Sequence, residues 1–239
     1  MIYPFYIILG LAPSFIWLLF FLRKDSHPES NKMILKIFLY GMIAAAVAAI
    51  IELSIFKVFS LFNIGSISPL LALILYHFIA IALIEEVIKY LVVRQNVLKN
   101  PEFDEPVDAM LYMIIAALGF AALENILVLL PIGKPFLDTI YITGFRFIGA
   151  TFLHALCSAI IGYFLALSLF ETKKRFRLIA TGLIISTLLH GLYNLSIINI
   201  VNDISFIIVP IIILIGLALF VSFGFKSLKR IASTCKIKT

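Results

Sequence analysis

Long apolar runs alternate with short polar connectors along the chain. Seven runs stand out, at residues 2–22, 37–56, 70–93, 107–130, 141–170, 178–199 and 205–224. Each run is too long for a β-strand, and lipid accommodates single segments of this kind only as helices. The pattern therefore predicts an all-α, polytopic transmembrane bundle of about seven spans, which forms one integral membrane domain over residues 1–239.

The composition agrees with a lipid environment. Hydrophobic residues make up 63% of the chain and charged residues 13%, whereas soluble domains are roughly 45–50% apolar and about 25% charged. The net charge of +6 would suggest nucleic-acid binding in a soluble protein, but here the basic residues form short clusters between apolar runs. We therefore expect a multi-pass protein of the cell membrane, surrounded by the lipid bilayer, with no nucleic-acid partner.

The basic clusters predict an orientation. Fifteen of the 19 lysines and arginines follow the first, third, fifth and seventh runs, at residues 23–36, 94–99, 173–177 and 226–238. Only Lys57 and Lys134 fall in connectors on the opposite side. Because cytoplasmic loops are enriched in basic residues, we expect the N-terminus outside and the C-terminus in the cytoplasm. No basic residue precedes the first run, so we expect it to be a retained span.

Polar residues interrupt the middle runs, where each charge is costly and marks a candidate functional site. They are Glu85, Glu86, Lys89, Glu124, His154, His190 and Asn194. They fall on the third to sixth runs. The same runs carry small or polar residues at every fourth position, and residues spaced in this way share one face of a helix. Four neighbouring helices are thus predicted to line one polar cavity, and residues 70–199 to form a catalytic four-helix core.

Two further charges, Glu52 and Arg146, lie towards the outer ends of their predicted helices. An unpaired guanidinium in the bilayer is costly, so we expect Arg146 to be structural and to pair with Glu52 or Glu124 at a similar depth. Pairing with Glu124 would keep that carboxylate ionised and make it a poorer proton donor.

Two types of membrane protease are excluded because this chain lacks their signature residues: it has no HExxH helix and no pair of intramembrane aspartates. The motifs that are present, Glu85-Glu86-Val87-Ile88-Lys89-Tyr90, Phe120 to Glu124-Asn125, His154, and His190 to Asn194, resemble the PrsW family of intramembrane proteases. That family is distantly similar to the CAAX-prenyl endopeptidases, in which a histidine commonly stands at the position of Glu124. The resemblance covers about residues 85–195.

The resemblance implies endoproteolysis of a membrane-anchored partner protein. In a metal-free mechanism, one member of the glutamate pair deprotonates a water, and Lys89 holds one carboxylate as the anion. His154 would then protonate the leaving amine. His190 and Asn194 would stabilise the oxyanion.

A second mechanism uses the same side chains around a metal. Glu124, His154 and His190 would bind zinc and leave a fourth position open for water, with the glutamate pair acting as base and supporting the ligands. Because these ligands come from three helices, their spacing leaves both mechanisms open. The metal-free mechanism is slightly preferred, and zinc is the one cofactor that the residues suggest.

Two other functional classes stay open. A proton- or ion-coupled transporter also gathers carboxylates and histidines at mid-membrane, although transporters often show internal repeats, and none is visible here. The other class is a non-catalytic membrane binding protein.

The predicted depths of the polar groups differ. Glu85 lies roughly 12 Å and Glu124 roughly 25 Å from the cytoplasmic ends of their runs. A single site therefore requires that these two groups meet despite their different depths.

Overall fold

The fold is that of a membrane-spanning helix bundle. A computed structural model of the chain describes residues 3–24, 27–63, 66, 68–130, 136–200 and 203–232, and no strand occurs among them. Seven stretches of these residues are helical, long and apolar enough to cross a membrane, which confirms the predicted fold class. The orientation remains a prediction. Lys134, and the tail that includes Cys235, Lys236 and Lys238, lie outside the described residues.

The helices follow the predicted order of spans. They are α1 (Tyr3–Leu22), α2 (Asn31–Leu61), α3 (Pro69–Asn96), α4 (Pro106–Leu129), α5 (Phe136–Ile148), α6 (Ala150–Phe170), α7 (Arg175–Asn199) and α8 (Ile208–Ala232). Helices α5 and α6 share the fifth span, and short 3₁₀ turns precede α7 and α8.

Polar caps set where two of the helices begin. The Ser30 hydroxyl accepts the Met33 N–H at 3.2 Å, so α2 begins at Asn31, well before the apolar run at residue 37. At the start of α4, a carboxylate oxygen of Asp108 accepts the N–H groups of Asp104 and Glu105 at 3.0 and 2.8 Å. These caps satisfy N–H groups that have no partner within the helix.

Helix α4 lies at the centre of the bundle and packs against α1, α2 and α6. Almost every side chain over residues 106–122 is buried. Two glycines allow α2 and α4 to approach closely, because an added Cβ on Gly41 would collide with the Ala116 carbonyl and one on Gly119 with the Phe38 carbonyl. Small residues at a helix crossing are a common basis of packing in membranes.

Helix α3 changes its winding immediately before the glutamate pair. The stretch Tyr76–Leu83 is a π-helix, and Ile84–Asn96 returns to α-helix. Single π-helical turns within α-helices occur frequently at functional sites. Glu85, Glu86 and Lys89 follow this segment directly, and all three side chains are buried inside the bundle.

The fifth apolar run is divided into two helices, whereas the sequence predicted one segment over residues 141–170. The chain bends at Gly149, where an added Cβ would lie 2.7 Å from the Phe145 carbonyl oxygen. One straight helix over this span of 35 residues would be about 52 Å long, whereas the hydrocarbon core is about 30 Å thick. Arg146 and His154 therefore lie on different helices rather than within one continuous helix.

Candidate active site

Buried polar side chains from α3 and α6 meet around the ammonium group of Lys89. Its Nζ donates to Oε1 of Glu86 at 2.9 Å and to Oε2 of Glu85 at 3.2 Å. The same Nζ lies 2.8 Å from Nδ1 of His154. Lys89 and Glu86 have no exposed surface, and Glu85 is only 5% exposed. The first predicted motif thus forms one ion-paired cluster inside the bundle.

His190 on α7 closes the cluster from another side. Its Nδ1 lies 2.9 Å from Oε1 of Glu86, and its Nε2 lies 3.9 Å from Oε2 of Glu85. On α6, one turn from His154, Ser158 donates to Oε2 of Glu86 at 3.2 Å. Both oxygens of Glu86 are therefore bonded, whereas Oε1 of Glu85 makes no hydrogen bond to any described residue.

Helix α4 joins the cluster through His154. Nε2 of His154 lies 2.7 Å from Oε2 of Glu124, while Nδ1 on the other side of the ring contacts Lys89 at 2.8 Å. The imidazole thus lies between Glu85, 3.6 Å from Nδ1, and Glu124, so the two glutamates meet in one cluster despite the different depths predicted for them. Side chains of α3, α4, α6 and α7 thus contact one another, while the predicted polar cavity and catalytic core remain predictions.

Arg146 pairs with a carboxylate, as predicted, and the partner is Glu124 rather than Glu52. Its Nη2 lies 3.2 Å from Oε1 of Glu124. Its Nε donates to the side-chain oxygen of Asn125, whose amide group in turn donates to Thr151 at 3.0 Å. Glu124 is therefore held between a guanidinium and an imidazole at the edge of the cluster, with 33% of its side chain exposed.

Hydrogen-bond chemistry assigns the protons on both histidines. An ammonium group only donates, so Nδ1 of His154 accepts from Lys89 and Nε2–H donates to Glu124. An ionised Glu86 only accepts, so Nδ1–H of His190 donates to it. Nε2 of a neutral His190 then carries a lone pair that no described residue uses as an acceptor.

Four residues of the cluster could hold a metal ion. Each offers one donor atom, and these atoms lie within 4.8 Å of one another: Glu85, Glu86, His154 and His190. Imidazoles with carboxylates are a donor set that suits zinc. A histidine that binds a metal through one ring nitrogen usually donates a hydrogen bond from the other to a carboxylate. Here Nε2 of His154 contacts Glu124, and Nδ1 of His190 contacts Glu86. The kinds of donor atom and their separations therefore fit a metal, which would replace the Lys89 ammonium at Nδ1 of His154.

The arrangement differs from the metal triad proposed from the sequence. Glu124 lies outside the four-residue group and contacts the ring nitrogen of His154 that faces away from Lys89. The Lys89 ammonium contacts three of the four residues that could bind a metal. The cluster therefore already contains one positive charge.

Asn194 makes no hydrogen bond to any described residue, although it lies one turn beyond His190 on α7 and is half-buried. Its role at the oxyanion stays a prediction. Two hydrogen-bond partners were not predicted from the sequence: Ser158, which bonds to Glu86, and Asn125, which bonds to Arg146. Ser158 could have been found from its spacing of four residues from His154. Asn125 was indicated only by its position beside Glu124.

Comparison with known proteins now identifies the family. The family model described as PrsW family intramembrane metalloprotease matches residues 29–222. The chain belongs to this family. It is 32% identical to Protease PrsW of Geobacillus kaustophilus over 186 residues, which cover 77% of this chain and 76% of the relative. It is 30% identical to Protease PrsW of Oceanobacillus iheyensis over 188 residues, which cover 77% of this chain and 79% of the relative.

A third relative, Protease PrsW of Bacillus subtilis, is 29% identical over 187 residues, with 77% of this chain and 79% of the relative covered. No solved structure matches the chain. The family confirms the resemblance read from the motifs and makes the chain an intramembrane protease rather than a transporter. The description of the family as metalloproteases agrees with a buried cluster that could hold a metal ion.

Proposed function

We propose that this protease cleaves membrane-anchored proteins with a water molecule activated by Glu85. The observation that carries the assignment is the unused Oε1 of Glu85, because the other member of the pair, Glu86, has both oxygens bonded. A carboxylate within reach of a water can act as general base for its attack on a peptide carbonyl. Glu85 is therefore the base, and Glu86 positions the groups around it.

Lys89 keeps two adjacent carboxylates compatible with a dry interior. Two neighbouring carboxylate anions repel each other strongly where water is excluded. The ammonium group donates to both, at 3.2 Å for Glu85 and 2.9 Å for Glu86. Glu85 can thus remain an anion and accept a proton from water.

The hydrogen bonds also suggest where protons move. Nε2–H of His154 faces Glu124 rather than Glu85, so we assign His154 a positioning role in place of the predicted general acid. The proton that Glu85 takes from water is then available for the leaving amine, whose departure breaks the C–N bond. Asn194 can donate to an oxyanion through its amide, and His190 can do so when Nε2 carries a proton.

A zinc ion would be held by His154, His190 and the glutamate pair, with Nδ1 of His154 released from the Lys89 ammonium. When bound, the ion would supply Lewis acidity that polarises a carbonyl or a water. The far-side hydrogen bonds of the two imidazoles would fix their ring orientation, at 2.7 Å to Glu124 and 2.9 Å to Glu86.

The position of the cluster argues for substrates that are themselves in the membrane. Glu85, Glu86 and Lys89 lie within the span Pro69–Asn96, and His190 lies within the span Thr172–Asn199. A peptide bond must therefore enter the bundle between membrane-spanning helices to reach the base. Membrane-anchored proteins bring their chain to this depth, whereas soluble proteins do not.

The proposed function is tested by reconstituting the protein in lipid vesicles with labelled single-span membrane proteins and following cleavage by gel electrophoresis. We expect the wild type to cleave embedded substrates, and the double substitution Glu85→Ala with Glu86→Ala to abolish cleavage in a protein that still elutes as a folded species. Cleavage of a soluble unfolded protein as fast as of embedded substrates, or retained cleavage by the folded double variant, would refute the proposal.

A further inference from the structure

A cavity of about 930 Å³ opens between the end of α3 and the start of α7. Its wall is mainly apolar and includes Leu83, Leu98, Ile179, Leu183 and Ile184. Its rim carries four basic residues, Arg94, Lys99, Lys173 and Arg175. We call this feature the basic cavity. It combines a charged rim with an apolar interior, which suits an amphipathic ligand with a negatively charged head.

The four rim cations have no acidic partner among the described residues, and each is exposed. Their neighbour Lys174 differs, because it pairs with Glu171 at 3.3 Å and does not line the cavity. Four positive charges at one opening repel one another and together attract an anion. The rim is therefore available for a negatively charged ligand.

The location places the rim at the surface of the bilayer. The span containing α3 ends at Asn96 and the span containing α7 begins at Thr172, so both spans terminate at the rim. Apart from Leu98, which lies beyond Asn96, the apolar wall lies on the bilayer side of these ends, with Leu83 on α3 and Leu183 on α7. In a bilayer crossed by these spans, headgroup phosphates would lie at the level of the rim and acyl chains at the level of the apolar wall.

We propose that the basic cavity binds an anionic phospholipid, with its phosphate at the Arg94–Arg175 rim and an acyl chain along the apolar wall. Basic pockets between transmembrane helices recognise anionic headgroups in this way, and each nearby lysine or arginine strengthens the attraction. Because the rim residues come from α3 and from the start of α7, the lipid bridges the helices that carry Glu86 and His190, which lie 2.9 Å apart.

Charge decides for a lipid over a substrate helix as the occupant. Membrane helices carry their lysines and arginines on the cytoplasmic side, which is the side predicted for this chain's own basic clusters. A partner helix that obeys the same rule would bring positive charge to a rim that already holds four cations. A phospholipid phosphate brings the opposite charge.

Native mass spectrometry of the detergent-purified full chain tests the proposal, with phosphatidylglycerol and phosphatidylcholine of identical acyl chains as the probes. We expect phosphatidylglycerol to bind more tightly to the wild type. Neutralising one cation on each side of the rim, Arg94→Gln with Arg175→Gln, should weaken its binding roughly 30-fold, taking about 1 kcal/mol for each charge. The matched control, Lys174→Gln with Arg177→Gln, removes the same charge from neighbouring positions outside the cavity and should bind as the wild type does.

A charge-retaining variant and a salt series keep the result interpretable. Arg94→Lys with Arg175→Lys should retain the preference for phosphatidylglycerol, and added salt should weaken that preference in the wild type. Equal binding of the two lipids by the wild type would overturn the proposal. So would equal loss in the rim variant and the control, which indicates diffuse charge attraction, or displacement of phosphatidylglycerol by an acidic peptide at the rim, which indicates a protein segment as occupant.

Discussion

At the scale of single residues, the cluster depends on one buried ammonium group. Lys89 contacts both members of the glutamate pair and His154, and neither Lys89 nor Glu86 has exposed side-chain surface. Removing one partner of such a buried pair leaves an uncompensated charge in a region without water. The energetic role of Lys89 can therefore be separated from that of an ordinary surface ion pair.

We predict that Lys89→Met lowers the free energy of unfolding by about 3–5 kcal/mol, because two carboxylates lose their counter-charge. The matched control is Lys174→Met, which removes another lysine that pairs with a glutamate three positions earlier, Glu171, but in a pair whose side chains are 62% and 58% exposed. That control should cost less than about 1 kcal/mol. Denaturation in detergent measures both, and equal effects would show that Lys89 does not neutralise the pair.

The Arg146–Glu124 pair can be tested with a double-mutant cycle. Arg146→Gln and Glu124→Gln should each destabilise the protein, and the double substitution should cost less than the sum of the two, by about 1 kcal/mol. The reason is the direct contact of 3.2 Å between their side chains. If the two destabilisations are additive, the guanidinium of Arg146 does not interact with Glu124, which would contradict the pairing. A cycle of Arg146→Gln with Glu52→Gln should be additive, since the structure pairs Arg146 with Glu124.

At the scale of helices, hydrophobic periodicity predicts the spans but not their internal geometry. The seven runs and their order follow from length and apolarity alone, which a bilayer enforces. The π-helix Tyr76–Leu83 and the bend at Gly149 do not follow, because both lie inside an apolar run rather than at its end. Such changes arise from packing between helices, which a single run does not encode.

The close crossing of α2 and α4 gives a prediction at this scale. Gly119→Ala should destabilise the bundle or separate the two helices, because its Cβ would collide with the backbone carbonyl of Phe38. Gly216→Ala on α8 is the matched control, since its added Cβ would meet no described atom within 4 Å apart from its chain neighbours and the backbone of its own helix. Alanine favours helix over glycine by up to about 1 kcal/mol, so the control should be neutral or stabilising. Thermal unfolding compares the two, and similar melting temperatures would contradict the packing.

At the scale of the whole molecule, the sequence predicted which residues gather but not how each one bonds. Glu85, Lys89, His154 and His190 were all expected in one cavity, because buried charges in a membrane need each other. The side of each imidazole that faces a carboxylate depends on the relative rotation of α3, α6 and α7, which no spacing specifies. For that reason Glu124 was grouped with the metal ligands, whereas the structure places it behind His154.

Metal content tests the donor group as a whole. We predict about one zinc ion per purified chain, and loss of that ion in His154→Ala with His190→Ala, since both imidazoles are removed. The control is His77→Ala, another buried histidine of the same chain that is not in the donor group. Because Lys89 also neutralises the glutamates, chelation should lower cleavage while the melting temperature changes little. Unchanged zinc content in the double variant would exclude the two histidines as ligands.

The most direct measurement compares two glutamate-to-glutamine variants in vesicles that contain an embedded substrate. Glu85→Gln should lower the cleavage rate by about 10²–10⁴-fold, because the amide cannot take a proton from water. Glu171→Gln, a change of the same kind in a glutamate that is 58% exposed and outside the cluster, should cleave at nearly the wild-type rate, with both variants folded. Wild-type cleavage by Glu85→Gln, or an equal loss in Glu171→Gln, would contradict the assignment of Glu85 as the base.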